Sequence, residues 1–108
     1  VFIDPPLSRI GLTEQEAIAK GYEVMTKTLP VEAIPRARVS GNTNGVLKSV
    51  VNAKNGKILG CTLFCIDSGE VINNVALVMK AGLDYSSLRD QIYTHPSMSE
   101  ALNDLFSF

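Results

Sequence analysis

The stretch VLKSVVNAKNGKILGCTLFCI, residues 46–66, decides the fold. Its two ends are rich in β-branched and aliphatic residues, which favour strands. The linker AKNGK contains Asn55-Gly56, a dipeptide that strongly favours the tight turn of a β-hairpin. The stretch therefore predicts two antiparallel strands that are neighbours in both sequence and space.

A helix and a further strand are predicted before this hairpin. In GLTEQEAIAKGYEV, Thr13 and Glu16 have the spacing of a capping box, in which each side chain binds the backbone N–H of the other residue. Gly21 follows where a left-handed helix stop is expected. The segment YEVMTKTLP then alternates imperfectly and predicts a strand that ends at Pro30.

Three helical segments are predicted after the hairpin. In DSGEVINNVALVMKAGLD, Asp67 or Ser68 can cap a helix that Gly82 ends. Apolar residues cover nearly the whole circumference of this helix, so it is expected to be buried on most sides. SSLRDQI predicts a short helix, and the last helix is expected to run through SEALNDLFSF. Its apolar stripe suits either a subunit interface or an intramolecular core, and comprises Ala101, Leu102, Leu105 and Phe106.

The order of these segments predicts the architecture. Hairpin-linked strands followed by gathered helices indicate an α+β domain, an antiparallel sheet with helices packed on it. The 108 residues fit one domain spanning 1–108. The chain lacks an initiator Met and starts inside a strand-like segment, so we expect it to be a piece of a longer protein.

Composition excludes several classes of partner. The net charge is −1 and no basic stripe appears, which argues against nucleic acid. No apolar run approaches the ~20 residues of a membrane span, and the first residues lack the features of a signal peptide. The chain is predicted to be globular and without a membrane partner.

The two cysteines, Cys61 and Cys65, both fall in KILGCTLFCID. Strand positions four apart are separated by ~13 Å, too far for a disulfide. We therefore expect small buried residues in a reducing, cytoplasmic setting. A metal site that combines both cysteines with His95 is a weaker alternative, because its ligands would be scattered over elements of different type.

The stretch THPSMSEALNDLF, residues 94–106, carries the only histidine in the chain. Free imidazole has a pKa of about 6.5, which suits proton transfer near neutral pH. Glu100 follows five positions later and is a candidate partner for the imidazole. Taken alone, His95 is more typical of a loop histidine. Glu100 also completes a capping box with Ser97, so it can serve the last helix instead.

Three stretches together resemble a known family. FIDPPLSRIGLTEQEA, GVLKSVVNAKNGKILGC and THPSMSEALNDLF follow one another in the order of landmarks in the C-terminal dimerisation domain of the FAD-dependent pyridine nucleotide–disulfide oxidoreductases. Glutathione reductase, lipoamide dehydrogenase and mercuric reductase are members. AIPRARV and HPSMSEALNDLF are most similar to the reactive-chlorine-resistance branch.

The resemblance implies a role in a homodimeric enzyme. FAD and NAD(P)H would bind to upstream domains, absent from this fragment, which by itself should hold no cofactor and be inactive. His95 and Glu100 would act as an acid/base pair in the flavin and dithiol site of the partner subunit. The family's His-Pro peptide is cis and its histidine carbonyl contacts the flavin, which makes His95 and Pro96 the implied cofactor-binding residues. No metal site is implied in this domain.

Two other functions fit the same residues. The chain can be a purely structural dimerisation module, with His95 incidental. It can also belong to a mercuric or cupric ion reductase, although its last residues, NDLFSF, lack the cysteine pair that mercuric reductase carries there. The residues leave the electron acceptor, and the choice between NADH and NADPH, open.

Overall fold

The computed structural model of the chain describes residues 7–31, 45–65, 67–91, 98–99 and 101–108. In these residues strands and helices follow one another in the expected α+β order. The elements are β1 (Leu7–Gly11), α1 (Glu14–Ala19), β2 (Val24–Pro30), β3 (Val46–Asn52), β4 (Ile58–Phe64), α2 (Ser68–Ala81), α3 (Ser86–Arg89) and α4 (Ala101–Leu105).

The described strands form one antiparallel sheet in the order β1-β4-β3-β2. The predicted hairpin, β3 with β4, lies at its centre, with Leu47 opposite Leu63 and Ser49 opposite Cys61. β1 and β2 pair with the outer sides of the hairpin. An antiparallel sheet with helices packed on it is confirmed.

The hairpin turn follows the prediction from Asn55-Gly56. Gly56 has a φ of 74°, a left-handed conformation that glycine adopts without steric cost. Its N–H donates to the Asn52 carbonyl over 2.9 Å, and the Asn52 N–H donates to the Lys57 carbonyl over 2.8 Å. Gly56 thus helps to close the turn between the two central strands, whose pairing has one irregularity, between Val50 and Val51.

The helices α2 and α4 cover one face of the sheet. α2 packs on β1 and β4, α4 packs on β2 and β3, and α3 lies between the two helices. The stripe on α4 is almost completely buried within this single chain: Leu102, Leu105 and Phe106 are 0% exposed. The stripe is therefore intramolecular core, and its interpretation as a subunit interface is wrong.

The expectation that α2 is buried on most sides is also wrong. Val71 and Val75 lie in the core, whereas Leu77 is 68% exposed. Leu77 follows Val75 by two residues, which places it about 200° further around the helix. Because α2 lies flat on the sheet, the sheet contacts only one side of it.

Both ends of α2 depend on left-handed residues. At the start, Asp67 occupies the N-cap position with a φ of 59°, and its side chain makes no capping hydrogen bond. The predicted side-chain cap is therefore wrong for Asp67, and Ser68 is already helical and buried. At the end, Gly82 has a φ of 72°, and the Leu83 N–H donates to the Val78 carbonyl over 3.2 Å, as a glycine stop predicts.

The smaller predicted elements are present as well. The Thr13–Glu16 capping box of α1 has both of its hydrogen bonds, at 2.9 and 3.1 Å. β2 ends at Pro30 as expected. The last helix is shorter than predicted, because Ala101–Leu105 is followed by a turn at Phe106.

The helices of the described part are short. The longest, α2, has 14 residues, whereas crossing a bilayer takes about 20. None of the described helices is long and apolar enough to span a membrane.

Candidate active site

The site residues predicted from the sequence, His95, Pro96 and Glu100, lie outside the described residues, as does Ser97. The structure does describe the chain on both sides of them. Before the site come α3 and residues 90–91, and after it come residues 98–99 and α4. These flanks fix where the main chain enters and leaves the segment that carries His95.

Asn103, in the middle of α4, holds the entry to this segment. Its side-chain amide Nδ2 donates to the main-chain carbonyl oxygens of Leu88 at 3.1 Å, Arg89 at 2.9 Å and Gln91 at 2.7 Å. The last carbonyls of a helix have no partner within the helix. Asn103 supplies donors to those at the end of α3 and to one just beyond it.

Two contacts hold the exit from the segment. Met98 is only 2% exposed and belongs to the hydrophobic core. The Asn74 amide on α2 lies 3.3 Å from the Ser99 hydroxyl oxygen, within hydrogen-bonding distance. The chain therefore leaves the His95 segment from a fixed point between α2 and the core.

Polar contacts from the sheet also fix α4. The buried Ser49 hydroxyl donates to the Leu105 carbonyl over 2.9 Å. The Lys27 ammonium donates to the Asp104 carbonyl at 2.8 Å and the Ser107 carbonyl at 3.2 Å, and it pairs with the Asp104 carboxylate at 3.4 Å. Because these carbonyls lie at the negative end of α4, a serine and a lysine donor stabilise the helix there.

A concave region of about 300 Å³ lies between α2 and α3, next to these flanks. Leu77, Val78 and Leu88 give it an apolar lining, and Asn74, Ser87 and Gln91 add polar groups. These lining residues include no carboxylate, imidazole or thiol. They can exclude water from a neighbouring group or bind polar atoms, but they do not titrate near neutral pH.

The two cysteines lie in the core. Cys61 on β4 and Cys65 just after it are free thiols, each 1% exposed, which confirms the interpretation as small buried residues. Burial raises the pKa of Cys61 to about 12, with a further contribution from Cys65. Burial and the nearby Asp67 charge raise the pKa of Cys65 to about 12. Both thiols are therefore protonated at neutral pH, whereas nucleophiles and metal ligands are thiolates.

A second concave region, of about 410 Å³, lies on the opposite face of the sheet. Thr28, Lys48 and Thr62 line it from the strands, and Glu14 lines it from α1. Lys48 and Glu14 form an ion pair at 2.6 Å, so the two charged groups satisfy each other. Among the described residues that line the region there is no imidazole and no thiol, and we assign it no chemistry.

Sequence reasoning did not single out Asn103 or Asn74. Each asparagine stands inside a helix, where its intrinsic propensity is poor. An asparagine inside a helix is a weak signal that its amide binds a group elsewhere in the fold. The acceptors, however, lie 12–15 residues away from Asn103, and no local pattern identifies them.

A comparison with protein-family models gives one match over nearly the whole chain. The model for the dimerisation domain of the pyridine nucleotide-disulphide oxidoreductases matches residues 1–106. This chain belongs to that family. The match confirms the resemblance inferred from the three sequence stretches.

Curated relatives of this dimerisation domain are named as oxidoreductases. It is 61% identical over 107 residues to a probable pyridine nucleotide-disulfide oxidoreductase, RclA of Escherichia coli, covering 99% of this chain and 24% of the relative. Identity is 43% to a mercuric reductase of Bacillus cereus, covering 94% of this chain and 16% of the relative. Identity is 37% to a dihydrolipoyl dehydrogenase of Mycobacterium tuberculosis, covering 97% of this chain and 23% of the relative.

Solved structures share the fold. The Cu(II) complex of the HOCl-induced flavoprotein disulfide reductase RclA from E. coli superposes with a TM-score of 0.96 at 61% identity, over 99% of this chain and 24% of that chain. LpdA from M. tuberculosis superposes with a TM-score of 0.84 at 19% identity, over 93% of this chain and 22% of that chain. This likeness supports the fold alone. The expected similarity to the reactive-chlorine-resistance branch is confirmed. The chain spans about a quarter or less of the length of these relatives.

Proposed function

We propose that this chain is the C-terminal dimerisation domain of an FAD-dependent NAD(P)H disulfide oxidoreductase, a cytoplasmic homodimer. His95 and Glu100 act as an acid/base pair at the flavin and dithiol site of the partner subunit. The observation that carries this proposal is the 61% identity to RclA over 99% of the chain. The corresponding solved structure is described as a flavoprotein disulfide reductase.

The proposal divides the work between this domain and others. No Gly-x-Gly-x-x-Gly phosphate-binding motif occurs in the 108 residues, so FAD and NAD(P)H would bind to domains that precede this one in a longer chain. Bound FAD would supply the electron transfer. This domain would supply the dimer contact and one titrating side chain, with the His95 carbonyl and Pro96 shaping its approach to the flavin.

The chemistry of His95 fits the task. Thiol–disulfide exchange proceeds through thiolates, so a proton has to be taken up or released at the dithiol in each half-reaction. An imidazole with a pKa near 6.5 exchanges that proton readily at neutral pH. A carboxylate that accepts a hydrogen bond from the ring fixes the tautomer and favours the protonated form.

The flanking structure is consistent with this role. A general acid/base has to be held within hydrogen-bonding distance of its partner. The chain before His95 is tied to α4 by Asn103, and the chain after it is tied to the core by Met98 and to α2 by Ser99.

The replacement His95→Gln in the full-length protein tests the catalytic role. Turnover with NAD(P)H should fall by about 10²–10⁴-fold, the usual contribution of a general acid/base. Flavin absorbance and the dimer mass, measured by sedimentation, should stay near those of the parent protein. Undiminished turnover would contradict the catalytic role and would favour the purely structural dimerisation module.

The replacement Glu100→Gln separates the two roles available to that glutamate. Glutamine also serves in a capping box, so helix capping and thermal stability should be preserved. The neutral amide no longer supports the imidazolium, so the pKa of His95 should fall and the pH–rate profile should move toward acid. An unmoved profile would assign Glu100 to the helix alone.

Subunit exchange tests whether His95 works in the partner. A His95→Gln protein is mixed with a protein whose redox cysteines, in the upstream domains, are replaced. In the heterodimer one site combines both defects and the other has neither, so activity should reappear. Exchange without recovered activity would place His95 in the site of its own subunit or outside catalysis.

Reduction of a metal ion is the second candidate activity. Relatives named mercuric reductase are 43% and 41% identical to this chain, and one solved relative is a Cu(II) complex. The raised pKa of both cysteines, about 12, argues that neither would bind the metal ion, so a metal substrate would need ligands elsewhere. Comparing NAD(P)H oxidation with Cu(II), Hg(II) and a small disulfide as acceptors distinguishes the two activities.

A further inference from the structure

We propose that Asn103 is a positioning residue for His95, which acts by clamping the main chain of residues 88–91 onto α4. The inference rests on the proposed role of His95 and extends it to a residue beyond His95, Pro96 and Glu100. Gln91, the last residue of this clamp, is four positions before His95.

The geometry of the amide carries the inference. Its one nitrogen lies 2.7 to 3.1 Å from three main-chain carbonyl oxygens, those of Leu88, Arg89 and Gln91. The two amide hydrogens are shared among three acceptors. The shortest of the three distances is to Gln91, the acceptor next to the His95 segment.

Three carbonyl oxygens that converge on one point repel each other unless a donor lies between them. The end of α3 creates this situation, because its last carbonyls have no partner within the helix. A carboxylate at position 103 would add a fourth acceptor, and an aliphatic side chain would leave the carbonyls without their donor. The position therefore calls for an N–H donor.

The base of the clamp is rigid. α4 is fixed to the sheet by three residues with no exposure, Leu102, Leu105 and Phe106, so the loss of the single hydrogen bond from Ser49 to Leu105 should leave the helix in place. Asn103 transmits this fixed position to residues 88–91. Displacements of about 1 Å at a reacting group are worth roughly 10²-fold in rate, so the clamp has consequences for His95.

The test compares Asn103→Ala with two matched variants in the full-length protein. Alanine favours a helix more than asparagine does, so α4 itself should not be weakened by the change in propensity. Asn103→Gln retains the amide donor. Ser49→Ala removes one hydrogen bond to the same helix without touching residues 88–91.

Asn103→Ala should lower turnover by about 10- to 100-fold, with KM, flavin content and dimer mass unchanged. Amide hydrogen exchange should accelerate in the peptide that covers residues 88–98. Asn103→Gln should recover part of the rate, and Ser49→Ala should keep turnover within about twofold. Equal rate losses in Asn103→Ala and Ser49→Ala would overturn the proposal, because they would show a general effect of loosening α4.

A double variant distinguishes this proposal from the proposed function. If Asn103 acts through His95, adding Asn103→Ala to His95→Gln should cost no further rate. Multiplying losses would overturn the positioning role and leave the function of His95 intact. Undiminished turnover in His95→Gln would overturn both.

Discussion

The central sheet and the C-terminal helical end of this domain are held together in different ways. In the sheet, β3 and β4 are joined by five residues, 53–57, and pair along their length. At the helical end, the five-residue α4 depends on donors from far along the chain. Ser49 and Leu105 are 56 residues apart, and Lys27 and Asp104 are 77 apart.

The sequence signals that determine these two regions therefore lie at different distances along the chain. A hairpin is encoded by its own turn and by the alternation of its strands. A short helix is marginal on its own, since most helical stability in proteins comes from tertiary packing. The central hairpin is thus a local consequence of the sequence, whereas the flanks of the His95 segment depend on the finished fold.

Burial at the helical end gives the largest expected effect. Leu102→Ala should destabilise the domain by about 2–5 kcal/mol, because it leaves a cavity in the core. Leu77→Ala, on the exposed side of α2, should change stability by no more than about 0.5 kcal/mol. Urea unfolding at several protein concentrations measures both and separates any contribution from association. Similar losses in the two variants would contradict the placement of these leucines.

The two buried thiols, Cys61 on β4 and Cys65 just after it, make the stability of the domain dependent on pH. Each has a pKa raised by burial from 9.0 to about 12 in the folded state. Between these values the unfolded chain releases protons that the folded chain keeps. The stabilisation is complete below about pH 9 and should be lost by up to ~1.4 kcal/mol per pH unit for each thiol as the pH rises.

Urea unfolding from neutral pH to about pH 11 tests this dependence. Cys61→Ala should lower stability at neutral pH through lost packing, but its decline above pH 9 should be shallower than that of the parent chain. Thr62→Ala, on the same strand, removes no titrating group and should keep the parent slope. A Cys61→Ala slope equal to that of Thr62→Ala would show that Cys61 does not titrate as described.

The smallest expected effect concerns α1, which is stabilised locally as the hairpin is. Thr13→Ala should cost about 0.5–2 kcal/mol, because it removes the side-chain acceptor of the capping box. Gln15→Ala, exposed in the same turn, should be nearly neutral. The Thr13 backbone N–H lowers the pKa of Glu16, so this capping contribution should be present at neutral pH and shrink as the pH falls and Glu16 is protonated. A Glu16→Gln chain that loses stability in acid as steeply as the parent chain would contradict the role of the carboxylate.

Short-range patterns predicted much of this fold. Asn55-Gly56, the Thr13–Glu16 box and the Gly82 stop each act within a few residues, and each was correctly identified. The burial of α2 is not predicted correctly, because apolar residues all around a helix do not show which side of it packs on the sheet. The side-chain cap predicted at Asp67 is also wrong: its backbone is left-handed and its side chain makes no capping hydrogen bond.

The candidate site was predictable in a narrower sense. The motif around His95 indicated the family, and the family match is confirmed. The residues beside it are different: Asn103 binds main-chain carbonyls and Asn74 binds the Ser99 hydroxyl, and only the folded topology brings these groups near. The sequence also does not show whether the apolar stripe on α4 belongs to the core or to an interface. The three-dimensional structure places it in the core.

The strand order β1-β4-β3-β2 has a consequence for folding during synthesis on the ribosome. The two outer strands are synthesised first and the central pair last. β2 has no partner until β3 has emerged, and β1 waits for β4, whose final residue is Phe64. About three-fifths of the 108 residues are therefore made before the sheet can close, and until then the apolar sides of β1 and β2 are exposed to chaperones and to neighbouring nascent chains.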